Sequence, residues 1–329
     1  MQALLNIQIG HFNKPTMPFG LFNSPASFDP KKDIPPLDGK IILVTGANSG
    51  LGKQAVLEYA QHNPAQIWLA ARSLDKAEAA ADDIKILVPN APIKLLQLDL
   101  SSFDSVKKAA KIFSAESDRL DILMLNAGIM AAAPGLTREG YEYQFGINYM
   151  GHALLTKLLL PVLDRTAKSG TNSDVRIVSI SSAGYAQAPA EGINFGMLKV
   201  TADSMGAFGR FGQSKLAIIL FVRQLAKLYP QLTVTAIHPG TVDTNVISSA
   251  TGAPVILKYV ARYAHRFLAS VDQGVKNQLW ASVAKDIQSG GYYEPIGIAG
   301  KVKPRGKDDD LAKKLWVWTE KELEGHDAS

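Results

Sequence analysis

Three glycines, Gly46, Gly50 and Gly52, fall in the string Thr45-Gly46-Ala47-Asn48-Ser49-Gly50-Leu51-Gly52, directly behind the apolar run Ile41-Ile42-Leu43-Val44. Glycine allows a tight turn and lets backbone approach a ligand closely. A helix opening behind the turn adds oriented N–H groups and a partial positive charge. That combination suits the pyrophosphate of a dinucleotide, with Asn48, Ser49 and Leu51 beside the three glycines. A second signal stands after the next apolar run, Ile67-Trp68-Leu69-Ala70-Ala71. An acidic residue there would hydrogen-bond the free ribose hydroxyl of NAD. The chain has Arg72-Ser73 instead. A guanidinium can meet a ribose phosphate through paired charge-assisted hydrogen bonds, so NADP(H) is the expected cofactor.

Such stations need strands to aim them. Short, wholly apolar runs predict buried strands at Ile41–Val44, Ile67–Ala71, Ile93–Leu98, Ile122–Leu125, Val175–Ile180 and Thr233–Ile237. Amphipathic periodicity between them predicts helices from Leu51 to about His62, from an N-cap at Ser73 to Leu87, and over Phe103–Ser114. It predicts two more from about Glu139 to Arg165 and over Gln213–Tyr229. Strands alternating with helices mean a doubly wound, mostly parallel sheet flanked by helices on both faces, an α/β Rossmann fold. No Pro/Gly-rich linker splits the run, so residues 39–329 are expected to form one domain behind an irregular lead-in over residues 1–38.

The TGxxxGxG spacing resembles the short-chain dehydrogenase/reductase family, and the likeness extends from about Gly39 to Thr244, more loosely to the C-terminus. The resemblance implies that Asp99 and Leu100 hold adenine and that Asn126-Ala127-Gly128 forms a sheet-stabilising turn beside the ribose. It further implies that the Val242 backbone and Thr244, within His238-Pro239-Gly240-Thr241-Val242-Asp243-Thr244, contact the nicotinamide carboxamide and phosphate. In the family, Asn, Ser, Tyr and Lys carry out carbonyl reduction. Here Asn148 matches the helix-kinking, water-holding Asn, and Ser182 matches the substrate-orienting serine with Ser181 as the fallback. Lys215 matches the lysine that holds ribose hydroxyls.

The Tyr-x-x-x-Lys pair is expected at a helix start, where residues four apart share a face. Its only match in context is Phe211-Gly212-Gln213-Ser214-Lys215. Phenylalanine keeps the ring and has no proton to give, and general acid catalysis is typically worth about 10²–10⁴-fold. Three readings stay open at this point: another donor, with Tyr149, Tyr185 or a Lys215-bound water as candidates; a cofactor-binding or pericyclic-type descendant without redox chemistry; or an introduced substitution.

The 28 residues between Ser182 and Phe211 exceed the short segment common in the family and resemble the retinol-dehydrogenase-like and fungal oxidoreductase branch. So do Tyr292-Tyr293-Glu294-Pro295, Ile296-Gly297 and a final helix over Leu311–Leu323 with Trp316 and Trp318. That likeness implies a substrate lid at about 245–270 and a small apolar carbonyl or alcohol as substrate. Homo-oligomers are common in the family.

The net charge of +5 is dispersed, so no nucleic-acid partner is expected. The chain has no cysteine, which excludes thiol chemistry, and its six histidines lack metal-ligand spacing. Residues 1–20 lack both the basic start and the unbroken apolar core of a secretory signal. The apolar stretch Val255–Leu268 is broken by Lys258, Arg262, His265 and Arg266 and is too short to span a bilayer. A cytoplasmic protein is expected, with peripheral membrane contact through that stretch left open.

Overall fold

The computed structural model describes residues 25–170, 173–242, 251–252 and 269–327. Strands β1 (Ile41–Thr45), β2 (Gln66–Ala71), β3 (Ile93–Gln97), β4 (Ile122–Leu125), β5 (Arg176–Ile180) and β6 (Thr233–Ile237) match the six expected apolar runs within a residue or so. A seventh, β7 (Tyr292–Tyr293), completes a parallel sheet of order β3-β2-β1-β4-β5-β6-β7. From β1 the chain winds outward to β3, then crosses back so that β4 pairs with β1 on its other side. A crevice opens outside the carboxyl ends of the strands at such a reversal, and ligands bind there.

Alternation along each strand decides which face it covers. Ile42 and Val44 of β1 pack with α2 (Gly50–Ala60), α3 (Leu74–Leu87) and α8 (Val271–Val283). Leu43, between them, packs in the opposite core with α4 (Phe103–Glu116), α6 (Gly151–Lys168), α7 (Gly206–Leu228) and α9 (Asp309–Glu322). All three side chains are inaccessible to solvent. A strand buried on both sides must be apolar throughout, which is why these strands stood out as unbroken runs.

Several boundaries differ from expectation, for local reasons. The helix expected from Glu139 begins later, because Thr137 and Tyr141 exchange backbone and hydroxyl hydrogen bonds around Gly140, whose φ is +83°. Glu142 then accepts from the Gln144 and Phe145 amides and starts α5 (Tyr143–Phe145). The chain continues through a π-helical turn, Gly146–Met150, into α6. In contrast, α7 starts seven residues before the expected Gln213, its first turns disguised by Gly206, Gly209 and Gly212. The lead-in is not wholly irregular: Asp29 caps a single turn, α1 (Pro30–Asp33), and Phe28, Ile34 and Leu37 are buried against the α2/α8 face. Helix α8 and strand β7 were not anticipated. Among the described residues no helix is long and apolar enough to cross a membrane.

Candidate active site

A cleft of about 460 Å³ lies over the carboxyl ends of the strands and collects most of the expected residues. On its nucleotide side, Gly46 turns with φ +65°, and a Cβ there would sit 2.8 Å from the Ala127 Cα. At Gly52 a Cβ would come within 2.6 Å of both Asn126 Nδ2 and the Gly46 oxygen. Only glycine lets α2 close this tightly on β1 and β4, and its N-terminus then faces the cleft. Ser49 stands at the N-cap in extended geometry with no side-chain capping bond. Asn48, Ser49, Gly50 and Leu51 all line the cleft, whereas Gly52 stands behind the wall.

Asn126 Nδ2 donates to the Thr45 oxygen at 2.9 Å, tying the β4 turn to β1. Arg72 is exposed at the cleft mouth and makes no ion pair or side-chain hydrogen bond among the described residues. Asp99 and Leu100 line the wall, and Asp99 Oδ1 accepts from both the Ser101 amide (3.0 Å) and hydroxyl (2.7 Å). Ser102, not Asp99, caps α4. Val242 lines the far wall. Thr244 lies outside the described residues, as does most of the expected lid.

The positions expected to be catalytic come from three elements: the π-turn, the turn after β5 and α7. Asn148 sits in the π-turn, so the expected kink is present, but its side chain is wholly buried and is not part of the cleft wall. Its Oδ1 accepts from the Ile129 amide (2.8 Å), and its Nδ2 donates to the Ile129 oxygen (3.0 Å) and Ser214 Oγ (2.9 Å). These bonds tie the loop after β4 to α7. The two serines behind β5 have separated roles. Ser181, also on the cleft wall, donates its Oγ proton to the Lys215 oxygen at 2.8 Å, holding α7. Ser182 Oγ, half-buried on the cleft wall, accepts from the Gly184 amide at 3.1 Å. A Cβ at Gly184 would lie 2.9 Å from the Phe211 ring and 3.3 Å from Ser182 Oγ, so this glycine keeps the two in proximity.

Phe211 and Lys215 both reach the cleft from the second and third turns of α7, not from its start. One turn is held by Arg210, fully buried in an ion pair with Glu142 at 3.2 Å. Lys215 Nζ donates to the Ile180 oxygen at 2.8 Å and lies 5.6 Å from the Phe211 ring centre. Burial lowers its pKa from the ordinary 10.5 to about 8, and no carboxylate pairs with it among the described residues.

Both tyrosines considered as replacement donors are committed elsewhere. The Tyr149 hydroxyl bonds Thr319 Oγ1 at 2.7 Å between Phe145 and Phe221 in the core. The Tyr185 hydroxyl accepts from the Lys303 amide at 2.7 Å, and its ring packs edge-on against Tyr292. Neither lines the cleft.

Two histidines escaped the sequence reading. His238 follows β6 on the cleft wall, with a buried Nδ1 that has no partner among the described residues; burial holds its pKa below the ordinary 6.5. His152, four residues after Asn148 and therefore on the same helical face, bonds Thr45 Oγ1 (2.9 Å) and the Asn148 oxygen (3.0 Å). That spacing was the available signal.

The comparisons with known proteins agree with this geometry. The short chain dehydrogenase family model matches residues 40–253. A short-chain dehydrogenase/reductase of Aspergillus calidoustus, drtF, is 38% identical over 88% of this chain and 95% of its own. Human retinol dehydrogenase 13 is 34% identical over 85% of this chain and 83% of its own. Among solved structures, a Mycobacterium paratuberculosis protein superposes with a TM-score of 0.69 at 28% identity, covering 89% of this chain and 96% of that one. A short chain dehydrogenase of Escherichia coli CFT073 complexed with NADPH gives 0.61 at 23% identity, over 79% and 97%. The chain belongs to the short-chain dehydrogenase/reductase family of oxidoreductases, in its retinol-dehydrogenase-like and fungal branch.

Proposed function

We propose that the chain is an NADP(H)-dependent oxidoreductase that interconverts an apolar carbonyl compound and its alcohol. The observation that carries this reading is the collection, in one cleft, of the α2 N-terminus, the exposed Arg72, Ser182 and Lys215. The Gly46 and Gly52 contacts leave no room for a side chain where α2 closes on the turns after β1 and β4. Asn48, Ser49, Gly50 and Leu51 would hold the phosphates, and Arg72 the ribose phosphate. Asp99 and Leu100 would flank adenine, and Asn126, Lys215, Val242 and Thr244 would hold the nicotinamide end. When bound, the reduced nicotinamide supplies the hydride.

The chain's own contribution to a reduction is to orient the carbonyl and exclude water. Ser182 Oγ, whose lone pair takes the Gly184 amide, retains its own proton for the substrate oxygen. Ile129, Met130, Ile147, Ile180 and Phe211 make the wall beside it apolar, consistent with a hydrophobic substrate. Relatives described as retinol dehydrogenases support that substrate class.

Phe211 favours a second reading, a protein of silent or reduced activity that binds cofactor and an apolar ligand. NADPH fluorescence titration and turnover with a panel of apolar aldehydes, on this chain and on Phe211→Tyr, separate the two. Turnover by the unaltered chain supports the first; turnover only by Phe211→Tyr supports the second. Arg72→Ala is expected to weaken NADPH binding about 10–100-fold while leaving NADH binding nearly unchanged, the loss of one charge-assisted contact set. Equal loss for both cofactors would remove Arg72 from the phosphate.

A further inference from the structure

Reduction of a carbonyl in this cleft requires a proton for the oxygen as the carbon is reduced, and the position next to Lys215 that would carry a phenol is Phe211. The tyrosines Tyr149 and Tyr185 are turned to other partners. Of the described side chains on the catalytic half of the cleft wall, those with a transferable proton are Ser181, Ser182, Thr241, His238 and Lys215. An aliphatic hydroxyl is a far weaker acid than an imidazolium or an ammonium. His238 is held below its ordinary 6.5 by burial, so at pH 7 its imidazole is mostly without the extra proton.

Lys215 is the remaining group. An ammonium has three N–H donors, and one is used on the Ile180 oxygen at 2.8 Å. The other two have no acceptor among the described residues, and Nζ lies beside the Gly128 backbone of the cleft wall, where a Cβ would stand 3.4 Å from it. With a pKa of about 8, this ammonium is mostly protonated at pH 7 and is a stronger acid than an ordinary phenol near 10. Several groups surround it. From α6 comes His152, kept neutral by burial; from the turn after β6 comes His238, also kept neutral; from β5 come the hydroxyls of Ser181 and Ser182. Arg72 and Asp99 are the charged side chains of the described cleft wall and stand at its nucleotide end.

We propose that Lys215 is itself the proton donor of this chain, its Nζ–H passing directly to the substrate oxygen. This rests on the reductase reading above. The carbonyl carbon gains a hydride from the reduced nicotinamide, the carbonyl π pair moves onto oxygen, and oxygen forms its O–H bond as one Nζ–H bond breaks. The N–H electron pair stays on nitrogen, giving a neutral amine that regains its proton from water. In the alcohol-oxidising direction the neutral amine is the base.

The test uses the full chain, NADPH, and two apolar probes, decanal and all-trans-retinal. The expected kcat/KM for reduction falls above about pH 8. Lys215→Arg, which keeps the charge on a group that does not release its proton, is expected to bind NADPH within a few-fold of the unaltered chain and to lose at least 10²-fold in kcat. Phe211→Tyr is expected to gain less than about 10²-fold, because an acid is already in place. A readout free of catalysis accompanies these: the stability gap between cofactor-free wild type and Lys215→Met, by urea denaturation, is expected to narrow as pH rises from 8 to 10.

A kcat retained in Lys215→Arg overturns the proposal, as does a stability gap that does not move with pH. NADPH binding with turnover only by Phe211→Tyr, or by neither protein, overturns it as well and leaves Lys215 a binding residue. Failure to bind NADPH at all is the separate failure of the cofactor reading.

Discussion

At the scale of single residues, the buried ammonium of Lys215 is a group whose presence costs folding free energy. Its pKa is depressed from 10.5 to about 8, so between those values the unfolded chain binds more protons than the folded one. Stability therefore rises with pH across that window, and the full penalty is present below about pH 8. A shift of this size corresponds to about 3 kcal/mol. Lys215→Met, which keeps the apolar stem and removes the charge, is predicted to stabilise the cofactor-free protein at pH 7 by up to that amount while abolishing turnover. Urea unfolding at pH 7 checks it, and a less stable variant would contradict the burial argument. Arg72 is the opposite case: exposed and without a side-chain partner among the described residues, it can be replaced with little effect on stability. Loss of function at these two positions thus has different signatures, one with a stability gain and one without.

At the scale of elements, the π-turn Gly146–Met150 is where three segments are joined by a chain of hydrogen bonds. The Asn148 oxygen can only accept, so His152 Nδ1 carries the proton that reaches it and Nε2 is the acceptor. Thr45 then donates its hydroxyl proton to Nε2, while its oxygen accepts from the Asn126 and Ala127 amides, both at 3.0 Å. The nucleotide turn after β1, the turn after β4 and the start of α6 are thereby locked by one neutral imidazole. Burial lowers its pKa from 6.5 to about 4, so the contribution is fully present above pH 6.5 and is lost as pH falls toward 4. By that linkage, acidification from pH 7 to 5 is predicted to remove about 2 kcal/mol of stability through this residue. His152→Gln, which does not titrate, should lack that part of the slope in denaturation curves measured at both pH values. An unchanged slope would place the acid sensitivity elsewhere.

At the scale of the whole molecule, the carboxyl-terminal helix reaches back to the segment that carries the site. In α9, Thr319 bonds the Tyr149 hydroxyl next to Asn148, Glu322 accepts from Tyr141 Oη at 2.8 Å, and Trp316 stacks on Phe221 of α7 with ring centres 5.5 Å apart. Tyr149 is completely enclosed, so Thr319→Val would leave its phenol buried without a partner. This substitution is predicted to cost about 1–3 kcal/mol, the penalty for an unsatisfied buried hydroxyl. Pairing it with Tyr149→Phe should recover most of that loss. A double-mutant cycle measured by denaturation checks the pairing, and strictly additive losses would mean that the two hydroxyls do not interact.

What the chain disclosed as a bare sequence was what local chemistry specifies. Buried parallel strands have to be apolar on both faces, so β1 to β6 announced themselves as short unbroken runs. The glycines at 46 and 52 are legible from their spacing behind β1, although the contacts that exclude a side chain there include Ala127 and Asn126 of the distant turn after β4, and Arg72 is singled out by its place at a strand end. The tertiary structure decided whatever depends on partners distant in the chain. Ser181 and Ser182 are indistinguishable as letters, and only the approach of α7 commits the Ser181 proton to the Lys215 oxygen while Ser182 Oγ accepts from the Gly184 amide. Tyr149 and Tyr185 look available until α9 and the loop at Lys303 take their hydroxyls. The two-residue strand β7 carries too little periodicity to be recognised without β6 beside it. The absence of a phenol at position 211 was visible from the first reading. The i, i+4 spacing already set Lys215 beside that ring; that its ammonium is buried with no carboxylate partner among the described residues depends on packing, which no local pattern encodes.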